Sequence, residues 1–166
     1  MTLNVELDFS EVERYAKRLG QNSELIDQEL RRAMTESVIT VEGQVVTRTP
    51  VNFGTLRQSI SHSVRGQGIG IIGEVATPSA YGLPVEFGRK PGKFPPLAPI
   101  ELWVRRKLNV PEAQVESVAF LVARKIARSG TKGAFMFRDG LEASGPQIAK
   151  SFDQATKRIV DRMSKL

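Results

Sequence analysis

Apolar residues recur at helical spacing between positions 23 and 48. Ile26, Leu30, Met34, Val38, Val41 and Val45 fall at steps of three or four, which places them on one helix face. A long helix over about 23–48 is predicted, with Asn22 or Ser23 as its cap. Ahead of it, Ser10 and Glu13 form a capping-box pair before Val12, Tyr15, Ala16 and Leu19, so a shorter helix is predicted to end near Gly20. Further on the period changes to two. Ile60, His62 and Val64 alternate with Ser59, Ser61, Ser63 and Arg65, and Gly66, Gln67 and Gly68 suit a hairpin connection. Two antiparallel strands follow, over about 58–65 and 69–77.

Breakers divide these runs. Pro50 disfavours helical geometry at Thr49, and the chain turns through Val51, Asn52, Phe53 and Gly54, leaving residues 56–60 as the lead-in to the first strand. Residues 78–88 fit a short strand or a helical turn, since Gly82 and Pro84 interrupt either period. Four prolines make 89–99 a loop. Ile100, Trp103, Val104 and Leu108 restore a helical stripe, and Val115, Val118, Ala119, Val122 and Ile126 form another that Gly130 closes. Residues 131–137 read as a third strand or extended segment, and Ile148, Phe152, Ala155, Ile159 and Met163 as the last helix. The sum is α+β: a long N-terminal helix, a small antiparallel sheet in the middle, a helical insertion, and a C-terminal helix packed on the sheet. A single domain over 1–166 is expected, divided into a helical arm (1–22), a helix-plus-hairpin core (23–88), a proline-rich loop with helical insertion (89–133) and a final segment and helix (134–166).

The chain has 166 residues, 40% hydrophobic and 25% charged, in keeping with a soluble globular protein. It has no cysteine, which excludes disulfides and thiolate zinc sites. Residues 1–13 carry acids where a secretion signal would carry bases, and no apolar run approaches the roughly 18 residues of a membrane span. Synthesis in the cytoplasm without a membrane anchor is expected. The net charge of +6 favours nucleic acid or another acidic surface. Arg89, Lys90, Lys93, Arg105, Arg106, Lys107, Arg128 and Lys132 are the candidate interface or DNA-facing residues.

Catalytic constellations are weak. The glycines at 68, 70 and 73 match G-x-G-x-x-G, but the run continues as a strand where a dinucleotide site needs a helix. Residues 129–133 have phosphate-loop residue types without the phosphate-loop order. His62, the one histidine, has no triad partners in sequence and reads as a strand histidine with a structural hydrogen bond. Glu86 lies in an apolar run and is expected to pair with an arginine, Arg57 being the candidate. Trp103 belongs to an apolar stripe and reads as core. No catalytic, metal or cofactor-binding residue is assigned, and no cofactor or enzymatic activity is expected.

Two stretches carry a resemblance. Residues 49–60, TPVNFGTLRQSI, and 80–88, AYGLPVEFG, resemble the P-x-(D/N)-x-G-x-L-(R/K)-x-S-I and Y-x-x-x-V-E-F-G stretches of bacteriophage neck and tail-completion proteins, the minor tail protein Z group among them. The residues that carry it are Pro50, Asn52, Gly54, Leu56, Arg57, Tyr81, Glu86, Phe87 and Gly88. Asn52 stands where that family often has aspartate. The resemblance implies a structural virion protein at the head–tail junction, in a homo-oligomeric ring that meets head-connector and tail proteins and passes DNA. Non-specific DNA contact is part of that expectation; membrane contact is not. Residues 89–99 and 129–133 are the expected subunit contacts, ordering on assembly. The alternative reading is a basic nucleic-acid-binding module outside a particle.

Overall fold

The computed structural model describes residues 20, 23–52, 54–67 and 70–164. Its elements run α1 (Ser23–Arg48), α2 (Thr55–Gln58), β1 (Ser61–Arg65), β2 (Ile72–Ala76), α3 (Gly82–Phe87), β3 (Gly88–Arg89), α4 (Leu97–Lys107), a 3-10 turn (Glu112–Gln114), α5 (Val115–Ser129), β4 (Thr131–Lys132) and α6 (Met136–Met163). The fold is α+β, with β1 pairing β2 and β3 pairing β4. The capping-box helix predicted from Ser10 lies outside the described residues, Gly20 aside. The contacts divide the chain into two compact units. Of the described residues, one comprises those up to Glu42, those within His62–Val75 and those from Ala143 on; the other comprises those within Gly43–Ser61 and Ala76–Glu142.

In the first unit α1 buries Val38 and Val41, as its spacing predicts, while Ile26, Leu30 and Met34 of the same stripe are half-buried and Ala33, outside it, is buried. Gly73 of β2 lies flat on that face, where an added Cβ would come within 2.6 Å of the Met34 sulfur. Arg65 and Glu74 pair across the two strands at 2.9 Å, and His62 Nδ1 meets the Glu42 carboxylate, the structural role expected of it. Glu29, only 5% exposed, accepts from Arg158 Nε at 2.6 Å, with Arg162 at 3.6 Å from its other oxygen. The Arg158 hydrogen bond is the main reason that the Glu29 carboxyl stays below the ordinary glutamate pKa. Burial opposes that shift, while the charges of Arg158, Arg162 and Arg32 add to it.

The second unit is organised around Val104, Val115 and Ala119, against which Ile100, Trp103, Val110 and Val118 pack. The helices α4 and α5 are thus a pair joined by the turn at 108–114. Trp103 is half-buried on this cluster, close to its expected place. A second buried group joins Val45 and Thr49, at the end of α1, to Met136: the Thr49 hydroxyl lies 3.2 Å from the Met136 sulfur.

Two elements depart from the sequence reading, and one resolves an alternative that it left open. The first strand begins at Ser61, because residues 55–58 close a helical turn instead. Gly54 takes φ 81°, a left-handed conformation open to glycine, and its carbonyl accepts the Gln58 N–H at 2.9 Å. Residues 82–87 form helix α3, the helical one of the two alternatives for this stretch, with Gly82 and Pro84 in its first turn, where a missing N–H costs nothing. Finally, α6 begins at Met136 and runs through Gly140, Gly145 and Pro146, residues whose low helix propensity points to a later start. Only the two residues of β4 remain of the third strand.

Candidate functional site

The second motif works as a joint. Helix α3 carries Glu86 into the interior, 6% exposed, where its carboxylate accepts the backbone N–H groups of Phe137 at 2.9 Å and Arg138 at 3.1 Å. These are orphan donors of the first turn of α6, and a negative charge there is stabilised by the helix dipole. The backbone of the same turn joins in: Val85 O accepts from Ala134 N–H, and Glu86 O from Phe135 N–H. Two residues on, Gly88 takes φ 75° and pairs with Lys132, so close to the Thr131–Gly133 backbone that a Cβ would sit 2.7 Å from Gly133 N. Glu and Gly of the motif are therefore requirements of one junction. The expected Glu86–Arg57 pair is not formed. Arg57 instead donates to Thr49 O at 2.8 Å, closing the turn that follows α1.

The first motif builds a surface. Pro50, Asn52, Gly54 and Leu56 line one side of an open, mainly apolar groove of about 440 Å³, and Tyr81 and Val85 line another. Helix α4 completes it with Pro99, Leu102 and Trp103. Large apolar side chains stand open along and beside it: Val51 is 48% exposed, Leu102 50% and Tyr81 59%, with Leu83 at 72% and Phe87 at 66%. Such a concentration of exposed apolar surface marks an interaction site more than a core. Leu102 and Pro99 were not legible as groove residues, because a helical stripe does not say which of its residues meets a neighbouring turn. The Asn52 Oδ1 and Arg57 Nε atoms are buried without a hydrogen-bond partner.

The basic residues fall in two places on this unit. Arg89, Lys90 and Lys93 follow α3, and the β3–β4 pairing of Arg89 with Thr131 sets Lys132, and Arg128 just before it, beside them. Arg105, Arg106 and Lys107 end α4, Arg105 paired with Glu112 at 2.9 Å; that hydrogen bond holds the Arg105 pKa above its ordinary value. The proline-rich loop also makes contacts within one chain. Gly92 N–H donates to Ala127 O at 2.7 Å, Pro95 is buried, and the Phe94 ring lies 5.6 Å from that of Phe120, all within one chain.

Among the described residues, no group of three His, Asp or Glu side chains is placed to hold a metal, and no helix is long and apolar enough to cross a membrane. Residues 10–88, which include α1, the β1–β2 hairpin and both motifs, match the family described as "Bacteriophage HK97-gp10, putative tail-component". Residues 10–88 are therefore similar to that family. The match ends at the glycine of the second motif, Gly88. The contacts of Glu86 and Gly88 with residues 131–138 are thus made from the HK97-gp10-like segment to the part of the chain that follows it. No curated protein and no solved structure matches the chain.

Proposed function

We propose that this protein is a structural component of a tailed-phage or prophage virion. It acts at the head–tail junction as a neck or tail-completion component, in a homo-oligomeric ring that lets tails join heads and passes DNA. The observation that carries this reading is the HK97-gp10-like match over residues 10–88, which contains both motifs. An exposed apolar groove lined by motif residues is what a subunit of a larger assembly needs, and the net charge of +6 suits a place beside DNA or an acidic neighbouring ring. In the finished particle it is a virion protein with head-connector and tail proteins as neighbours. A nucleic-acid-binding module outside a particle would use the same charge. Tight DNA binding by the isolated chain, falling steeply with salt, would favour it. The direct test is a lysate of phage lacking this gene: separate heads and tails, or tails unable to join, are expected, and normal infectious particles would sink the proposal.

A further inference from the structure

Acids are missing from one corner of the second unit. Residues 87–100 and 117–138 contain no Asp or Glu, yet their bases include Arg89, Lys90, Lys93, Arg124, Arg128 and Lys132. The fold gathers these cations. β3 and β4 pair Gly88 with Lys132 and Arg89 with Thr131, and the Gly130 backbone stands so close to the Arg89 carbonyl that a Cβ would overlap it. On α5, Phe120, Arg124, Ala127 and Arg128 share one side at helical spacing. The proline-rich loop lies along that side: the Phe94 and Phe120 ring centroids are 5.6 Å apart, and Gly92 N–H donates to Ala127 O at 2.7 Å. Arg89 N–H donates to Thr131 Oγ1 at 3.1 Å and its guanidinium to Lys93 O at 3.3 Å, which ties the loop at its start and its turn. The corner is thus preformed. Lys90, Lys93, Arg124, Arg128 and Lys132 are all exposed, and no acid among the described residues engages them.

From this unpaired charge we infer that the β3–β4 corner binds the phosphate backbone of double-stranded DNA, without regard to sequence. The last turn of a helix ordinarily repels an anion, but here the Ile126 and Ala127 carbonyls accept from the Gly130 and Gly92 N–H groups, and Ser129, Gly130 and Thr131 keep the approach open with small side chains. A protein partner fits less well, because interface centres are apolar and poor in lysine, whereas this one would hold Lys90, Lys93 and Lys132. A single strand fits less well too, since the Phe94 and Phe120 rings pack on each other instead of standing apart as stacking platforms. The other basic group is not equivalent. Arg105, Arg106 and Lys107 end α4, with Arg105 paired to Glu112 at 2.9 Å and Glu116 in the first turn of α5, about 20 Å along that helix from Arg128. The contact rests on the function proposed above only for the source of the DNA, the duplex that passes between head and tail. One corner of about five phosphate contacts holds DNA weakly, with a Kd of about 1–100 μM at physiological salt, and so lets it move on.

Fluorescence anisotropy tests it, with the full-length chain titrated into a labelled duplex of about 20 base pairs at several salt concentrations. Wild type is expected to bind two unrelated sequences equally, with log K falling against log salt at a slope of about −4 to −5. Lys90→Ala with Arg128→Ala, and separately Lys93→Ala with Lys132→Ala, should each weaken binding about tenfold or more at low salt and flatten that slope by about 2. Arg105→Ala with Lys107→Ala removes the same charge from the end of α4 and should leave affinity within about twofold of wild type. Thermal melts matching wild type verify that each double variant folds. No binding by wild type, corner variants that bind like wild type, an α4 variant that loses as much as they do, or polyglutamate bound as tightly as DNA each overturns the site. If the corner variants lose DNA while virions carry none of the chain, the DNA site stands and the head–tail placement falls; a chain found at the neck with no affinity for DNA keeps the placement and removes the site.

Discussion

Glu86 and Phe137, 51 positions apart in sequence, are joined by a 2.9 Å hydrogen bond from the Phe137 backbone N–H to the Glu86 carboxylate. Arg138 N–H reaches the other oxygen at 3.1 Å, so one buried side chain satisfies two donors at the start of α6. Hydrogen bonds to a charged group contribute about 1.5–3 kcal/mol each. Glu86→Ala is therefore expected to destabilise the chain by roughly 2–4 kcal/mol, and Glu86→Gln by less, since the amide keeps one acceptor but loses the charge that the helix dipole favours. Urea unfolding of the two variants checks the order; equal stability of Glu86→Ala and wild type would refute the capping role.

The Glu29–Arg158 pair makes a pH prediction. The folded carboxyl titrates below its unfolded value, chiefly because Arg158 donates to it. Its stabilising contribution is thus fully present above the ordinary glutamate pKa, and is lost as pH falls through that value toward the lowered one. Glu29→Gln should cost about 1–3 kcal/mol at neutral pH, a range set below that of a fully buried pair because Arg158 is 30% exposed. The difference from wild type should shrink in acid. Thermal melts between pH 7 and pH 3 would show this, and a constant offset across the range would contradict it.

Two glycines in helices are expected to respond in opposite directions to the same change. A Cβ at Gly140 of α6 would stand 2.7 Å from Val45 Cγ2 and 3.1 Å from Val45 N, on the α1 backbone, whereas at Gly43 of α1 it would meet nothing within 4 Å. Gly140→Ala should lose about 1–3 kcal/mol by overpacking, despite the better helix propensity of alanine. Gly43→Ala should gain up to about 1 kcal/mol. Denaturant midpoints decide; the same sign for both would show that the close approach at Gly140 is not a constraint.

Position 52 offers a gain. Asn52 Oδ1 and Arg57 Nε are both buried without hydrogen-bond partners. Asn52→Asp supplies the charge that Arg57 lacks and is expected to stabilise by about 1 kcal/mol. A lower melting temperature would mean that Arg57 Nε is out of reach of position 52.

The long helix was legible because its apolar steps and its stop at Pro50 are local signals, and α5 with Gly130 behind it was legible for the same reason. What periodicity did not reveal were decisions made by distant residues. Residues 55–58 coil because Gly54 turns left-handed first, and α6 starts at Met136 because Glu86, far back in the chain, caps it. The motif residues were identifiable as a resemblance before their roles were. Sequence alone set Glu86 against an arginine, since an acid in an apolar run asks for a cation, and the backbone N–H groups that answer instead leave no mark on side-chain identity. The groove was hidden for a related reason: its α4 side belongs to a stripe that also serves the core through Trp103 and Val104.

The central claim is a place at the head–tail junction, and labelling tests it most directly. Purified virions carrying this chain with a small epitope tag, decorated with gold-labelled antibody and imaged by electron microscopy, should show label at the neck, between head and tail. Label spread along the tail tube, or particles that are infectious and carry none of the chain, would contradict the account.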